Sequence, residues 1–144
     1  EMLRSLVGSE MCIRDRIQKL EEEAIITEDF KDLTNNDMHI IEAVGLEGGN
    51  MSSIAAKLDI TVGSLTTSMN SLVKKGYVEK VRGEEDGRIV YVSLTRQGRR
   101  IDSAHRYFHE SMVRSIIRDM TESEMQALYK GVMKLDTFLK EQLK

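Results

Sequence analysis

The sequence predicts a mainly α fold with a small β-wing: a helix-turn-helix, then a two-stranded wing, with longer helices on either side. Three observations predict it. The 144 residues contain no proline, against a usual share of about 5%, so long helices meet no breaker. Apolar residues recur three and four apart over 62–73, 101–120 and 125–139, the spacing of a buried helical face. Between the first two stretches the pattern changes to short strands, Tyr77–Val81 and Arg88–Leu94, around a charged loop, Arg82-Gly83-Glu84-Glu85-Asp86-Gly87.

Bulk properties narrow the function. The length suits one domain with a real core. No apolar run approaches the roughly 18 residues of a membrane span, and without a secretory signal the expected location is the cytoplasm. Cys12 is the single cysteine, which excludes a disulfide framework and a cysteine-rich zinc finger. The net charge of −3 is unevenly spread. Residues 17–50 carry two basic and nine acidic side chains, residues 51–100 nine basic and five acidic, and residues 101–144 seven of each. The positive charge therefore lies where the helix-turn-helix and wing lie, as expected of a surface that meets nucleic acid. No Gly-x-Ser-x-Gly elbow or carboxylate pair of recognisable spacing is present, so an enzyme is not expected.

Residues 1–16, EMLRSLVGSEMCIRDR, resemble the translated read-through of a sequencing adapter and are set aside as non-native. Read as native, they would begin the first helix. Residues 17–30 predict a helix with Ile17, Leu20, Ala24 and Ile25 on one face. A second helix runs from Asn35 to Gly45, with Thr34 and Asp37 as a capping signal. Leu46–Asn50 predicts a turn, whose glycines lack the lysine and spacing of a phosphate loop. Ser52 is the expected N-cap of a third helix, Ser53–Leu58, with Ile54, Ala55 and Leu58 inward. Asp59-Ile60 forms the turn of the helix-turn-helix.

The fourth helix, capped by Thr61 and ending near Lys75, carries the main functional signal. Val62, Leu65, Met69, Leu72 and Val73 form its expected core stripe. The rest of its surface is Gly63, Ser64, Thr66, Thr67, Ser68, Asn70, Ser71 and Lys74, with no charge from 61 to 73. Such residues favour helix weakly. Their short hydroxyls and amides suit close approach to phosphates and base edges of a duplex. Gly76 ends the helix in the left-handed region. The wing follows, with Val90, Val92 and Leu94 inward, Lys80 and Arg82 near phosphates, and Arg88 at the narrow minor groove. Glu84 and Glu85 are expected to point away at the apex.

Thr95 caps a fifth helix reaching Asp119, with Ile101, Ala104, Phe108, Met112, Ile116 and Met120 as its stripe. Thr121 and Glu124 form a capping box for a sixth. Leu128, Val132, Leu135 and Leu139 then follow as a seam that needs an apolar partner, expected to be a second copy. Two reading helices about one turn of DNA apart imply a pseudo-palindromic duplex site.

Asp86-x-Arg88 followed by Leu94-Thr95-x-x-Gly98, with Gly76-Tyr77-Val78 before them, resembles the MarR family of winged-helix regulators. The likeness covers about residues 17–142 and implies a MarR-like division. Residues 17–34 and 101–144 form the helical dimerisation region; residues 35–100 form the DNA-binding region. It also implies that Asp86 orients Arg88. Phe30-Lys31-Asp32-Leu33, Asp37-Met38-His39, Gly63–Asn70 and Arg106-Tyr107-Phe108-His109 resemble the FabT-type repressors of fatty-acid synthesis genes. That likeness implies a dimeric repressor whose corepressor is an acyl chain on acyl carrier protein, with no resident cofactor. Two alternatives stand beside it. Zinc-sensing MarR proteins place ligands on the same elements, which offers Glu21, His39, His105 and His109 as a metal set, the last two being four apart on one helical face. A winged helix can also serve as a protein-interaction module.

Overall fold

The computed structural model describes residues 2–26, 30–84 and 86–142, with the backbone alone for residues 2–12 and 14. The side chain of Cys12, residues 27–29 of the first predicted helix, and Glu85 at the wing apex lie outside the described residues. Two compact units divide after Phe108. The first holds α1 (Met2–Ile25), α2 (Asn35–Val44), β1 (Gly49–Asn50), α3 (Met51–Lys57), α4 (Val62–Lys74), β2 (Val78–Arg82), β3 (Val90–Leu94) and the start of α5 (Arg96–Ile117). The second holds the rest of α5 and α6 (Glu122–Gln142).

Residues 2–16 continue the helix of residues 17–25 in a single α1. That helix stops at Ile25, short of the expected Phe30, which instead lies buried in a following turn. Its inward face also differs from the apolar stripe: Glu21 and Ile25 are buried, while Leu20 is 53% exposed. The two buried residues are one turn apart. A polar residue, Glu21, takes an inward place because His105 meets it there, 3.1 Å away.

Helix α2 begins on the expected capping box. Thr34 Oγ1 accepts from the Asp37 amide at 3.2 Å, and Asp37 Oδ2 accepts from the Thr34 amide at 3.0 Å. Past Gly45, where a turn alone was expected, Gly49 and Asn50 form a short strand against Val92 and Tyr91. The sheet therefore has three strands in the order β1-β3-β2, both pairings antiparallel. A Cβ on Gly48 would run into the Val92 carbonyl. The cap of α3 is Asn50 rather than Ser52, and Asn50 Oδ1 accepts from the Ser53 amide at 2.8 Å. Both residue types cap well; pairing to β3 places Asn50 in the extended conformation that a cap requires.

Leu65, Met69 and Leu72 of α4 are fully buried, joined by Ile40, Ile41, Ile54, Val78, Val92 and Ile101. Each such side chain contributes roughly 1.5–3 kcal/mol by leaving water. Val62 and Val73, expected in the same stripe, are 43% and 38% exposed. Val73 is about 100° round the helix from Leu72, and Val62 opens onto the wing cleft described below. Gly76 takes φ 80°, and both strands of the wing start later than the alternation implies, at Val78 and Val90.

The inward face of α5 is Gly98, Ile101, Asp102 and His105. The expected Ala104 is exposed, Phe108 half-buried and Ile116 exposed. Burial follows His105 and Asp102 because partners take their polar groups: Glu21 meets His105, and Arg106 bonds Asp102 from the next turn. Gly98 is required by packing, since a Cβ there would collide with the Tyr77 carbonyl. This gives a physical reason for the glycine of Leu94-Thr95-x-x-Gly98.

In the second unit, Thr121 Oγ1 accepts from the Glu124 amide, and Glu124 Oε2 accepts from the Thr121 amide at 2.7 Å. Both donors to the carboxylate hold Glu124 below its usual range, the backbone bond more than the hydroxyl. Among the described residues no helix is long and apolar enough to cross a membrane.

Candidate nucleic-acid interface

Thr61 opens α4 as expected, its Oγ1 accepting from the Ser64 amide at 3.1 Å and donating to Ser64 Oγ at 2.9 Å. Gly63, Thr67, Asn70 and Lys74 are exposed, and Thr66 and Ser68 are half-buried. Thr66 turns its hydroxyl back to the Val62 carbonyl at 2.7 Å, leaving its oxygen as an acceptor. Asn70 is reached from the wing: Lys80 Nζ donates to Asn70 Oδ1 at 2.6 Å. The polar surface of α4 is thus open, uncharged as far as Lys74, and partly braced.

Arg82 lies within β2 rather than in the wing tip, and Arg88 in the turn before β3. Gly83 donates to the Ile89 carbonyl at 2.8 Å, closing the tip. Asp86 Oδ1 accepts from the backbone N–H of Arg88 at 2.9 Å. Asp86 therefore shapes the turn that carries Arg88, and among the described residues it makes no bond to the guanidinium. Arg82, Asp86 and Arg88 are all exposed. Between the wing and the starts of α3 and α4 lies a cleft of about 430 Å³, lined by Asn50, Ser52, Val62, Thr66, Arg88 and Ile89. Asn50 and Ser52, unexpected at this surface from the sequence, reach it because β1 ties the start of α3 to β3.

Long-range bonds fasten this surface from behind. Lys75 Nζ meets Asp37 Oδ2 at 2.8 Å, and Tyr77 Oη donates to Asp32 Oδ1 at 2.7 Å. Burial, then the Asp32 bond, raises the Tyr77 hydroxyl well above its usual pKa. Phe30 packs on Tyr77 with ring centroids 6.2 Å apart, and the Arg100 guanidinium lies over Phe30 at 5.1 Å. The end of α4 is thereby tied to the first turn of α2, and Tyr77, just before β2, to the segment that precedes α2.

His39 and His105 form a separate cluster with Glu21 and Glu42. His105 Nε2 is 3.1 Å from Glu21 Oε1, and its Nδ1 is 3.7 Å from Glu42 Oε2. His39 Nδ1 lies 3.9 Å from the same Glu42 oxygen, with the two imidazoles edge to face at 5.9 Å. Ligand atoms of His39, Glu42 and His105 lie within 4.8 Å of one another. Glu42 was missing from the sequence-derived set, although it stands three residues after His39 on one helical face. His109 belongs to the second unit.

Comparison with known proteins decides the family. Residues 24–104 match the family model of the transcriptional regulator SarA/Rot. FabT of Streptococcus pneumoniae, solved in complex with DNA, is 35% identical over 97% of this chain and 99% of that one, with a TM-score of 0.88. The chain belongs to the MarR/SarA family of winged-helix transcriptional regulators. A further MarR family structure, SP03579, shares the fold at 18% identity, with a TM-score of 0.78 over 98% of this chain and 92% of that one. The transcriptional regulator AdcR of Streptococcus pneumoniae is 32% identical over 51% of this chain and 50% of AdcR. The chain spans about half the length of the curated relatives it matches first. Within this MarR/SarA regulator, α3 and α4 are the helix-turn-helix, and β2 and β3 are the wing.

Proposed function

We propose that this chain is a dimeric, sequence-specific DNA-binding regulator. It sets α4 in the major groove of a pseudo-palindromic duplex and the wing Arg88 at the adjacent minor groove. The observation that carries the reading is the exposed, uncharged surface of α4, flanked by Lys74, Lys80, Arg82 and Arg88. An acidic side chain on that surface would repel phosphate, and residues 61–73 contain none. The dimer is supported by the apolar face of α6, where Leu128, Val132, Leu135 and Leu139 are 40–54% exposed. The similarity to FabT supports repression of fatty-acid synthesis genes, with an acyl chain on acyl carrier protein as corepressor.

The test is duplex binding across a salt series, with DNA from upstream of fatty-acid synthesis genes, with and without long-chain acyl carrier protein. Affinity should fall steeply as salt rises, since each phosphate contact adds about 0.9 to the logarithmic slope. Acylated carrier should tighten binding. Arg88→Ala should weaken binding while leaving the unfolding midpoint unchanged, because the residue is exposed. Salt-insensitive or absent binding would overturn the reading in favour of a protein-interaction module.

The second reading is a zinc-responsive regulator, favoured by the approach of His39, Glu42 and His105, with Glu21 behind His105. It predicts that zinc alone changes duplex affinity and that His39→Ala abolishes the change.

A further inference from the structure

Four cations stand on α4 and the wing: Lys74, Lys80, Arg82 and Arg88. Among the described residues, Lys80 is the one that bonds an α4 side chain. Its position explains how. In the β2–β3 register Lys80 stands opposite Val92, which is buried, and it shares a strand face with Val78, also buried. Its methylene stem therefore begins over the core, and the ammonium emerges beside α4, the usual behaviour of a half-buried lysine. There it ends 2.6 Å from Asn70 Oδ1. Lysine offers donors only, so the Asn70 atom it meets must be the oxygen. The chemistry thus fixes which way round the amide lies, a choice that geometry alone leaves open.

Asn70 follows Thr66 and Thr67 by four and three residues, placing it on the same helical stripe. An asparagine that reads a base edge must present its amide in one orientation. Left to rotate, it would accept and donate in either sense. We propose that Lys80 acts through Asn70: it is a positioning residue that fixes the Asn70 amide for base reading, rather than a phosphate contact in its own right. Among the described residues nothing else bonds the Asn70 amide, so the second lone pair of Oδ1 and both Nδ2 hydrogens are left for a base. The proposal rests on the reading of α4 as the DNA-reading helix, and it separates the role of Lys80 from those of Lys74, Arg82 and Arg88.

The experiment uses the full chain and the tightest duplex that the wild type selects from a randomised pool, together with its single-base variants and a scrambled duplex. Wild type, Lys80→Met, Asn70→Ala, the double variant and Lys80→Arg are compared over a salt series. Lys80→Met and Asn70→Ala should lose discrimination at the same base position, by roughly tenfold, within the range of one side chain–base pair. The double variant should lose no more than about twofold beyond either single change, as expected of residues acting as one unit. The salt slope of Lys80→Met should equal that of wild type, its unfolding midpoint should be unchanged, and Lys80→Arg, which keeps a donor within reach, should retain the preference.

A phosphate role gives the opposite pattern. Lys80→Met would then weaken selected and scrambled duplexes alike, lower the slope by about 0.9, and multiply with Asn70→Ala. That result overturns this proposal while leaving the DNA-binding reading intact. Absence of salt-dependent binding by the wild type would overturn both.

Discussion

Helix α4 buries Leu65, Met69 and Leu72 completely within its own unit, whereas α6 has no buried residue and leaves Leu128, Val132, Leu135 and Leu139 in large part accessible. Both carry apolar residues at spacings of three and four, so periodicity alone does not distinguish them. The difference lies in what each helix has left to offer. The apolar stripe of α4 at Leu65, Met69 and Leu72 is covered by the chain itself, and beside the accessible Val62 and Val73 its open surface is mostly hydroxyl and amide. The apolar side of α6 is uncovered. On the proposed reading, the two exposed surfaces take partners of different chemistry: a polar, anionic duplex for α4 and a second, apolar copy of itself for α6.

Four substitutions can break or sharpen this contrast. Leu65→Ala should have the largest effect, destabilising the fold by about 2–5 kcal/mol in chemical denaturation, as for other fully buried leucines. A loss below about 1 kcal/mol would mean that α4 is not held by its core stripe. Gly98→Ala comes next, at about 1–3 kcal/mol, because its methyl group must displace the Tyr77 carbonyl. An unchanged unfolding midpoint would remove the packing reason for that glycine. Leu135→Asp should change the stability of the folded chain by less than about 0.5 kcal/mol, as at other exposed sites. It should nevertheless abolish self-association in sedimentation; a variant that still associates would shift the contact away from α6.

The smallest effect belongs to Glu124. Its carboxyl titrates below the usual range in the folded chain, so its stabilising contribution is present above that range and fades as pH falls through the folded value. Glu124→Gln should therefore remove part of the acid sensitivity of α6 helicity, read by circular dichroism. An identical acid profile in the variant would mean that the Thr121 bonds do not act in solution.

What the sequence disclosed was what local chemistry decides. Thr34, Thr61 and Thr121 cap their helices through side chains three residues from the amide they serve, and Gly76 takes its positive φ where a helix must end. The uncharged surface of α4 was equally legible, being a matter of composition. What escaped was decided by distant partners. Gly49 and Asn50 are too few to show a strand period, and they become one only because Val92 and Tyr91 lie opposite. The face of α5 was misplaced by its polar members, since Asp102 and His105 turn inward only where Arg106 and Glu21 can meet them. The bond from Lys80 to Asn70 joins residues ten apart on different elements, and no spacing rule announces it.

Asn50 holds two posts at once: it pairs with Tyr91 in the sheet, and its side chain starts α3. This constrains how the loop before it can vary among related chains. One residue inserted next to Asn50 would slip the pairing with β3 and strip α3 of its cap together, whereas no described residue of the wing tip beyond Arg82 both pairs in the sheet and caps a helix. Variation in length should therefore collect at the wing tip, and the join between α2 and α3 should keep its length while its composition changes.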